Sequence, residues 1–301
     1  MTEALFLGVD LGATNIKMVV VDAGLEPEVV GTERIPTLGE QGHDAVIDRL
    51  ANAVVERHER AGPFRGVGIG TPGLFAPETG VVEIFTNLPG QWRGVPLRHR
   101  METGTGLPIT LINDARAFTL AEGRLGAGNG LPVVACLTLG TGIGGGLMID
   151  GRLFNGATGI AGEIAHQTVL PGGRVCGCGN AGCAEGLARS DVLAEMAGKS
   201  SVEEVFAGLA AGDARCAEAV ATAAKYVGIA LANVVTVIGP NRIVIGGGIA
   251  AAGDAILDPI RDAIKAHVTL VPHESIEVVP ASLGSEAGAI GAALAAIDAA
   301  G

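Results

Sequence analysis

The sequence predicts an α/β protein built from two similar lobes. Its 301 residues are enough for two domains of ordinary size. Apolar strand patterns at residues 5–10 and 16–22 flank a glycine-containing turn, which predicts a hairpin. A second strand–turn–strand pattern, at residues 133–139 and 146–150, repeats the first at an offset of 128 residues. An internal repeat of this size predicts two lobes that each open with a glycine-turned hairpin.

The other elements alternate between strand and helix. Apolar residues at helical spacing predict a helix over residues 43–60, which ends near Gly62 and Pro63. In chain order, the later predictions are strands at 66–70 and 107–112, helices at 115–125 and 214–237, strands at 242–245 and 276–280, and a small-residue helix at 287–300. We expect this last helix to pack back on the first lobe. The expected lobes are therefore a smaller one, 1–112 plus 287–301, and a larger one, 113–286, with a cysteine-rich loop and helical insertions.

The composition excludes several classes of function. With 48% apolar and 17% charged residues, the chain can bury a large core and is not a disordered protein. A net charge of −12 disfavours binding to nucleic acid or to an anionic membrane. The N-terminus has no signal-peptide pattern, and the most apolar window, residues 226–239, is too short to span a bilayer. We therefore expect a cytoplasmic protein that binds neither nucleic acid nor membrane.

Glycine-rich turns form the first candidate site. Residues 140–145 have the G-x-G-x-x-G spacing of a dinucleotide-binding loop, but a strand pattern follows them where a Rossmann turn needs a helix. A Gly/Thr hairpin can instead hold phosphate through converging backbone N–H groups and hydroxyls. The turn at residues 10–14 adds a carboxylate, as a Mg²⁺ ion bridging phosphates requires. With a third turn at 246–248, the pattern favours phosphate binding over plain tight turns.

A cluster of His and Cys residues predicts a metal site. His166 is followed by Cys176, Cys178 and Cys183, and intervening glycines let the loop wrap tightly. Three thiolates and one imidazole make a closed tetrahedral zinc site with no open position, so the zinc is expected to be structural. The alternatives are a redox pair or inert core cysteines. The dense spacing beside a histidine, in a chain without an export signal, favours zinc.

Three carboxylates, Asp114, Glu163 and Glu185, extend the candidate site. Glu163 precedes His166 by three residues and Glu185 follows Cys183 by two, so a loop that fixes the metal ligands would fix both carboxylates. Asp114 follows a predicted strand, which is where open α/β sheets place ligands. Solvated surface acids are the alternative interpretation. Together these residues indicate an enzyme that handles phosphate and a polar substrate.

The motifs closely resemble those of the ROK family (repressors, open reading frames, sugar kinases), within the actin-like ATPase and sugar-kinase superfamily. The matching stretches are 10–14, 70–73, 87–92, 112–115, 139–146, 162–166, 176–185 and 246–248, which cover nearly the whole chain in order. The resemblance implies a two-lobed actin-like ATPase (ribonuclease H-like) fold. It also implies an ATP-dependent sugar kinase that uses Mg²⁺ with ATP and carries a structural Zn²⁺.

The resemblance assigns a role to individual residues, with Asp114 as the catalytic base. The sugar would be held by Gly73, Asn87, Asn113, Asp114, Glu163, His166 and Glu185. ATP and Mg²⁺ would be held by Asp10, Gly12, Ala13, Thr14, Asn15, Thr138, Gly140, Thr141, Gly142, Gly246, Gly247 and Gly248. Zinc would be held by His166, Cys176, Cys178 and Cys183.

Three positions depart from the family pattern. Ala13 and Ala165 stand where the family usually has glycine, and Arg116 stands where it often has asparagine. The alanines restrict the backbone conformations available near the expected phosphate and sugar sites, and Arg116 adds a positive charge near the expected substrate. Many family members are repressors with an N-terminal winged helix. Because the phosphate strand begins at residue 5, we expect no DNA-binding module and disfavour a repressor.

The expected reaction is ATP-dependent phosphorylation of a hexose at its 6-hydroxyl, with glucose as the favoured substrate. An N-acylhexosamine kinase for N-acetylmannosamine or N-acetylglucosamine, a kinase for another hexose, and polyphosphate as donor are left open. A non-catalytic sugar sensor would keep the pocket but lack the base, and the presence of Asp114 argues against it. We expect a homodimer or homotetramer.

Overall fold

The computed structural model describes residues 4–24, 26–85, 88–157, 159–270, 272 and 275–301. The chain divides into two compact units, Met1–Ala121 with Ser285–Gly301, and Glu122–Gly284. It therefore passes from one unit to the other twice, after Ala121 and after Gly284. The lobe boundaries expected from the sequence, 112/113 and 286/287, stay a prediction.

Groups of strands alternate with helices along the chain. The strands are β1 (Leu5–Leu11), β2 (Asn15–Asp22), β3 (Glu28–Pro36), β4 (Phe64–Thr71), β5 (Gly73–Phe75), β6 (Val82–Phe85), β7 (Ile109–Asn113), β8 (Val133–Leu139), β9 (Ile143–Ile149), β10 (Arg152–Leu153), β11 (Arg242–Gly246) and β12 (Glu277–Pro280). The helices are α1 (Gly42–Ala61), α2 (Leu97–Thr105), α3 (Asp114–Arg124), α4 (Ala184–Ala188), α5 (Ser190–Ala197), α6 (Val202–Ala210), α7 (Ala214–Ile238), α8 (Asp254–His267) and α9 (Ala287–Ala300).

The first unit is built on a five-stranded sheet in the order β3-β2-β1-β4-β7. Strands β1, β2 and β3 form an antiparallel meander, whereas β4 and β7 run parallel to β1. The predicted hairpin is present, with Leu5 opposite Asp22 and Leu11 opposite Ile16. Because β1, β4 and β7 are parallel, their carboxyl ends meet at one edge of the sheet. Open α/β sheets bind ligands at that edge.

The second unit repeats this topology. Its sheet has the order β10-β9-β8-β11-β12, with β8, β9 and β10 antiparallel and β11 and β12 parallel to β8. Strand order and strand directions therefore match those of the first sheet position by position. The internal repeat predicted from the sequence is thus a duplication of the whole sheet, and not of the hairpin alone.

Helix α9 lies directly on the sheet of the first unit. Ala289, Ala292 and Ala293 on this helix are fully buried. A Cβ atom on Gly8 of β1 would lie 1.9 Å from the Ala289 carbonyl oxygen, and one on Gly68 of β4 would lie 1.7 Å from that of Ala292. The glycines therefore let the helix backbone approach the sheet backbone. The predicted return of the C-terminal helix to the first lobe is confirmed.

Helix α7 is the core helix of the second unit, where it packs against α4, α5 and α8. Of the residues that the structure describes, this helix alone is long and apolar enough to cross a bilayer by length and composition, and half of its apolar window is buried. A Cβ on Gly228 would lie 2.3 Å from the Ala263 Cβ of α8. Such a close approach between two helices is the packing of a protein core.

A wholly buried carboxylate, that of Glu122, fixes two segments of the second unit. Glu122 is 0% exposed. It accepts hydrogen bonds from the backbone N–H groups of Ala127 at 2.9 Å, Ser282 at 3.0 Å and Leu283 at 2.9 Å. A buried carboxylate needs several donors to offset its lost hydration. These bonds join the segment that follows Ala121, where the chain enters the second unit, to the segment that ends at Gly284, where it leaves that unit.

Candidate functional site

The β1–β2 hairpin closes on itself and leaves its tip exposed. The Gly12 N–H donates to the carbonyl oxygens of Asp10 at 3.1 Å and Asn15 at 3.2 Å. The Thr37 hydroxyl donates to the Gly12 carbonyl at 2.7 Å, which fixes the turn from outside. Ala13 and Thr14 are exposed, and within the described part of the chain their N–H groups meet no acceptor. Two adjacent amides of this kind can bind an anion.

Asp10 lies beside this tip, at the carboxyl end of β1. Burial raises the pKa of its carboxyl group, the Lys17 ammonium opposes that shift, and Glu286 adds to it. The Lys17 Nζ atom is 3.6 Å from Asp10 Oδ2 and donates to the Ser285 carbonyl at 2.7 Å. A carboxylate next to a phosphate-binding turn fits Mg²⁺, which binds one or two carboxylates together with phosphate oxygens.

The β8–β9 hairpin of the second unit is built in a similar way, with a turn one residue shorter. The Gly140 N–H donates to the Gly142 carbonyl at 3.0 Å, and the Ile143 N–H donates to Glu185 Oε2 at 3.0 Å. Thr141 and Gly142 lie between these bonded groups, and among the described residues their N–H groups have no protein acceptor. The Thr138 hydroxyl points across the hairpin and donates to the Gly144 carbonyl at 3.4 Å. The second tip therefore offers two amides and no carboxylate from its own strand.

The third glycine turn, residues 246–248, lies against the end of β8. Gly246 of β11 pairs with Thr138 of β8 in the parallel ladder. Gly247 has φ 90°, and a Cβ there would lie 2.4 Å from the Leu139 carbonyl oxygen. Only glycine fits this backbone conformation and this space. The structure therefore brings two of the three predicted phosphate turns together at the carboxyl edge of the second sheet.

His166, Cys176, Cys178 and Cys183 form one cluster in the second unit, and their ligand atoms all lie within 4.8 Å of one another. The Cys178 and Cys183 sulfurs are 3.6 Å apart, and the Cys176 sulfur is 3.7 Å from His166 Nδ1. Tetrahedral zinc with Zn–S bonds of about 2.3 Å places two sulfurs about 3.8 Å apart. The residues therefore fit a structural zinc ion.

The thiols of this cluster have unequal acidity in the absence of metal. Burial raises the pKa of Cys176 to about 12, and the neighbouring Glu185 carboxylate contributes. Burial also raises the pKa of Cys183, whereas the Asn180 N–H lowers that of Cys178. A coordinating thiol is deprotonated by the metal itself. Zinc binding at this site would therefore release protons.

The segment around His166 is anchored by a residue that the sequence reasoning missed. Gln167 donates from Nε2 to the carbonyls of Ile164 at 3.1 Å and Ala230 at 3.2 Å, and its Oε1 accepts from Asn233 at 3.1 Å. These bonds fix the short 3₁₀ turn Ile164–His166 to helix α7. An isolated glutamine carries no sequence signal for such a contact.

The carboxylates of Glu163 and Glu185 contact different residues of the zinc cluster. With His166 Nδ1 facing Cys176, the other ring nitrogen, Nε2, lies 3.9 Å from Glu163 Oε2. Glu185 has one oxygen, Oε1, 3.3 Å from the Cys176 sulfur and the other bonded to the β8–β9 hairpin. Glu163, His166 and Glu185 are thus brought to one loop, as the sequence predicted.

Asn113 and Asp114 lie at the carboxyl end of β7 in the first unit. The Asn113 Nδ2 donates to the Gly73 carbonyl at 3.2 Å, and its Oδ1 accepts from the N–H groups of Ala115 and Arg116. Asn113 therefore caps α3 and fixes Asp114 as the first residue of that helix. Gly73 has φ 114° and no room for a Cβ, since one would lie 2.2 Å from the Ile84 carbonyl. The predicted sugar-binding residue Asn87 lies outside the described residues.

A duplicated α/β sheet, each copy of which begins with a glycine-turned hairpin, is the architecture of the actin-like ATPase class of fold, as the sequence predicted. Within that class, the chain belongs to the ROK family, whose sequence model matches residues 6–299. The family predicted from the motifs is therefore confirmed.

Known relatives match over nearly the whole chain. A glucokinase from Halalkalibacterium halodurans is 35% identical over 97% of this chain and 94% of its own length. The crystal structure of a ROK hexokinase from Thermus thermophilus has a TM-score of 0.85 and 37% identity, covering 98% of each chain. A ROK family glucokinase from Streptomyces griseus, crystallised with glucose and AMPPNP, has a TM-score of 0.83 and 31% identity, covering 98% of this chain and 100% of that one.

Proposed function

We propose that this protein is an ATP-dependent hexokinase that phosphorylates the 6-hydroxyl of its sugar, with glucose as the favoured substrate. The enzyme class, a sugar kinase, is confirmed by the similarity to glucokinases over nearly the whole chain. The observation that carries the choice of substrate is the similarity to a structure that holds both glucose and AMPPNP, an ATP analogue.

Asp114 acts as the general base in this proposal. Its place at the start of α3, fixed by the Asn113 cap, makes it a positioned carboxylate at the carboxyl edge of the first sheet. It accepts the proton of the sugar hydroxyl while that oxygen forms a bond to the terminal phosphorus of ATP. The bond from this phosphorus to the bridging oxygen breaks in the same step, and ADP leaves. Phosphoryl transfer has a loose transition state, so positioning and charge stabilisation carry most of the catalysis.

The hairpins and Asp10 hold the nucleotide. The amides of Ala13 and Thr14 in the first unit, and those of Thr141 and Gly142 in the second, donate to phosphate oxygens, and the turn at Gly246, Gly247 and Gly248 lies near the adenosine. When bound, Mg²⁺ neutralises the phosphate charge, and Asp10 is the carboxylate of this chain that would hold it. Gly12, Asn15, Thr138 and Gly140 keep the two turns in shape through the bonds described above.

Sugar-binding residues are proposed in each unit separately: in the metal loop of the second unit, and at the end of β7 in the first. Zinc on His166, Cys176, Cys178 and Cys183 would be structural, because four protein ligands leave no open position. His166 Nε2 donates to one sugar hydroxyl, and Glu163 and Glu185 accept from others. In the first unit, Gly73 and Asn113 would also contact the sugar, and Asn87 is assigned the same role from the family resemblance alone. The cytoplasmic location and the homodimeric or homotetrameric state are part of the same proposal, and gel filtration with light scattering tests the latter.

A coupled assay of ADP release over a panel of sugars tests the function. The panel contains glucose, mannose, galactose, N-acetylmannosamine and N-acetylglucosamine, with ATP and polyphosphate compared as donors. We expect the highest kcat/KM with glucose and ATP. A higher value for an N-acylhexosamine would replace the assigned substrate, and sugar binding without any turnover would indicate a sensor instead of an enzyme.

The variant Asp114→Asn tests the role of the base. The amide keeps the shape but cannot accept a proton, so kcat should fall by about 10²–10⁴-fold, which is the usual contribution of a positioned base. Calorimetry should show that glucose still binds. The control is Asp48→Asn, which changes an exposed carboxylate of α1 paired with Arg100. A near-normal kcat for Asp114→Asn would remove Asp114 from this role.

A further inference from the structure

Two hydrogen bonds join the β8–β9 hairpin to the residues that follow the last zinc ligand. Glu185 Oε2 accepts from the Ile143 N–H at 3.0 Å, at one end of the hairpin turn. The Ser190 N–H donates to the Gly140 carbonyl at 3.0 Å, at the other end. The amides of Thr141, which is exposed, and Gly142, which is half-buried, lie between these two attachment points. The shape of the turn is therefore set by residues outside the hairpin.

The attaching segment, residues 184–190, is itself fixed to the metal loop. It begins directly after Cys183, and the Ala184 N–H donates to the carbonyl of Gln167, the residue after His166. Ala184 and Ala188 are 1% and 2% exposed, so the segment is buried on its other side. Its geometry therefore depends on the positions of two of the four zinc ligands.

The Glu185 carboxylate contacts both structures at once. Its Oε1 lies 3.3 Å from the Cys176 sulfur while its Oε2 accepts from Ile143. A Cβ on Gly142 would lie 3.1 Å from Oε2, so the carboxylate also lies against the tip of the turn. One side chain thus spans the distance from a zinc ligand to the hairpin tip.

We propose that Glu185 and Ser190 are positioning residues for nucleotide binding, and that zinc binding raises the affinity of the second unit for a nucleoside triphosphate even without sugar. This rests on the proposed function, in which the hairpin amides hold phosphate, and it adds a role for the zinc loop beyond the sugar pocket. A turn held at both ends keeps its two amides converged, so less conformational freedom is lost when phosphate binds. A turn released at either end loses this advantage.

Coupling between two sites is reciprocal. If zinc strengthens nucleotide binding, nucleotide must strengthen zinc binding by the same factor. Couplings between sites in proteins usually amount to about 5–150-fold. This gives a second observable, zinc retention, which does not depend on catalysis.

The experiment measures binding of Mg-AMPPNP by calorimetry in the absence of sugar. We expect Glu185→Ala to weaken binding by about fivefold or more. The control Glu195→Ala, which removes an exposed carboxylate of α5 paired with Arg174, should leave it unchanged. Zinc content and circular dichroism are measured on each sample. Affinity equal to that of the wild type in a folded, zinc-loaded Glu185→Ala protein would overturn the proposal.

Ser190→Pro provides an independent variant that leaves the carboxylate in place. Ser190 is the first residue of α5, where proline is tolerated because that N–H has no partner within the helix. Arg189 before it is extended, with φ −66° and ψ 163°, as a residue preceding proline must be. The substitution therefore removes the bond to Gly140, and the proline Cδ, which takes the place of the amide hydrogen, also pushes the Gly140 carbonyl away, so both effects release this end of the turn. We expect a several-fold loss of Mg-AMPPNP affinity with zinc content unchanged, and no loss would contradict the proposal.

Zinc removal completes a thermodynamic cycle. Chelation should weaken Mg-AMPPNP binding to the wild type but have a smaller further effect on Glu185→Ala, because that variant has already lost the connection. Conversely, Mg-AMPPNP should slow the loss of zinc to a competing chelator in the wild type. If the chelated protein unfolds, the two variants and the zinc-retention assay decide the question. A wild type that binds no AMPPNP and phosphorylates no sugar would refute the proposed function, whereas normal turnover without any coupling would refute this inference alone.

Discussion

Replacing Gly68 with alanine tests the packing that unites the sheet and the C-terminal helix of the first unit. The new Cβ would lie 1.7 Å from the Ala292 carbonyl oxygen and 2.4 Å from the Ala292 carbonyl carbon. These are backbone atoms, so no side-chain rotation can relieve the overlap. To bring the 1.7 Å contact to even 3.0 Å, helix α9 must move away by about 1.3 Å, and a gap wider than about 1 Å loses more than half of the dispersion energy of each contact it opens.

The expected cost of Gly68→Ala is about 3 kcal/mol, at the upper end of the range for overpacked cores. For a unit of this size, that lowers Tm by roughly 6–12 °C. Scanning calorimetry and guanidinium titration of the full chain measure it. The matched control is Gly66→Ala in the same strand, where a Cβ would meet its nearest atom, Phe6 Cε1, at an ordinary 3.5 Å. If Gly68→Ala unfolds within about 1 °C of this control, helix α9 does not approach the sheet as closely as its buried alanines indicate.

Two further predictions concern pH and the metal. The pKa of Asp213 is lowered to about 2, mainly by its hydrogen bond with Lys199 and to a lesser extent by those from the N–H groups of Cys216 and Arg215. The stability that the Asp213 carboxylate contributes is therefore present above about pH 3.8 and is lost as the pH falls towards 2. Asp213→Asn, which keeps a helix-capping side chain, should therefore melt below the wild type at pH 7 and together with it near pH 2; equal melting at pH 7 would exclude the carboxylate as a stabilising group. His166→Gln should lower zinc content, thermal stability and the discrimination between the sugar and its deoxy analogues together, because one ring nitrogen faces the zinc cluster and the other is proposed to donate to a sugar hydroxyl. If His166→Gln kept full zinc occupancy in elemental analysis and unchanged selectivity in steady-state kinetics, the zinc cluster would have a structural role only.

Local patterns predicted the elements that carry a strong repeat or a clear stop signal. The strands of the first hairpin, the metal cluster and the helix Ala287–Ala300 follow from spacing that is visible within a few residues. Strand β3 was missed because it alternates between exposed and half-buried residues and contains Gly31 and three charges, so it has no apolar run. An edge strand of this kind gains its order from the neighbouring β2, which a local pattern does not show.

The features that the sequence did not predict depend on contacts between residues that are far apart in the chain. The bonds from Glu122 to Ser282 and Leu283 join residues that lie 160 and 161 positions apart. The bond from Ile143 to Glu185 joins residues 42 positions apart. Neither glutamate lies in a pattern that distinguishes a buried acceptor from a solvated acid. The sequence therefore predicted which residue types occupy the candidate site, but not which of them hold the hairpins in shape.

The duplication of the sheet has a consequence for charge. Asp10 is the next-to-last residue of β1, and Thr138 is the next-to-last residue of β8, so the two side chains occupy the same place in the two copies. Across the hairpin, Asp10 is opposite Lys17, whereas Thr138 is opposite Gly144. The first hairpin thus has an ion pair at the position where the second has a threonine hydroxyl opposite a glycine. The two hairpins therefore differ in charge: the strand of the first carries a carboxylate that can bind a divalent cation, whereas the strand of the second carries none.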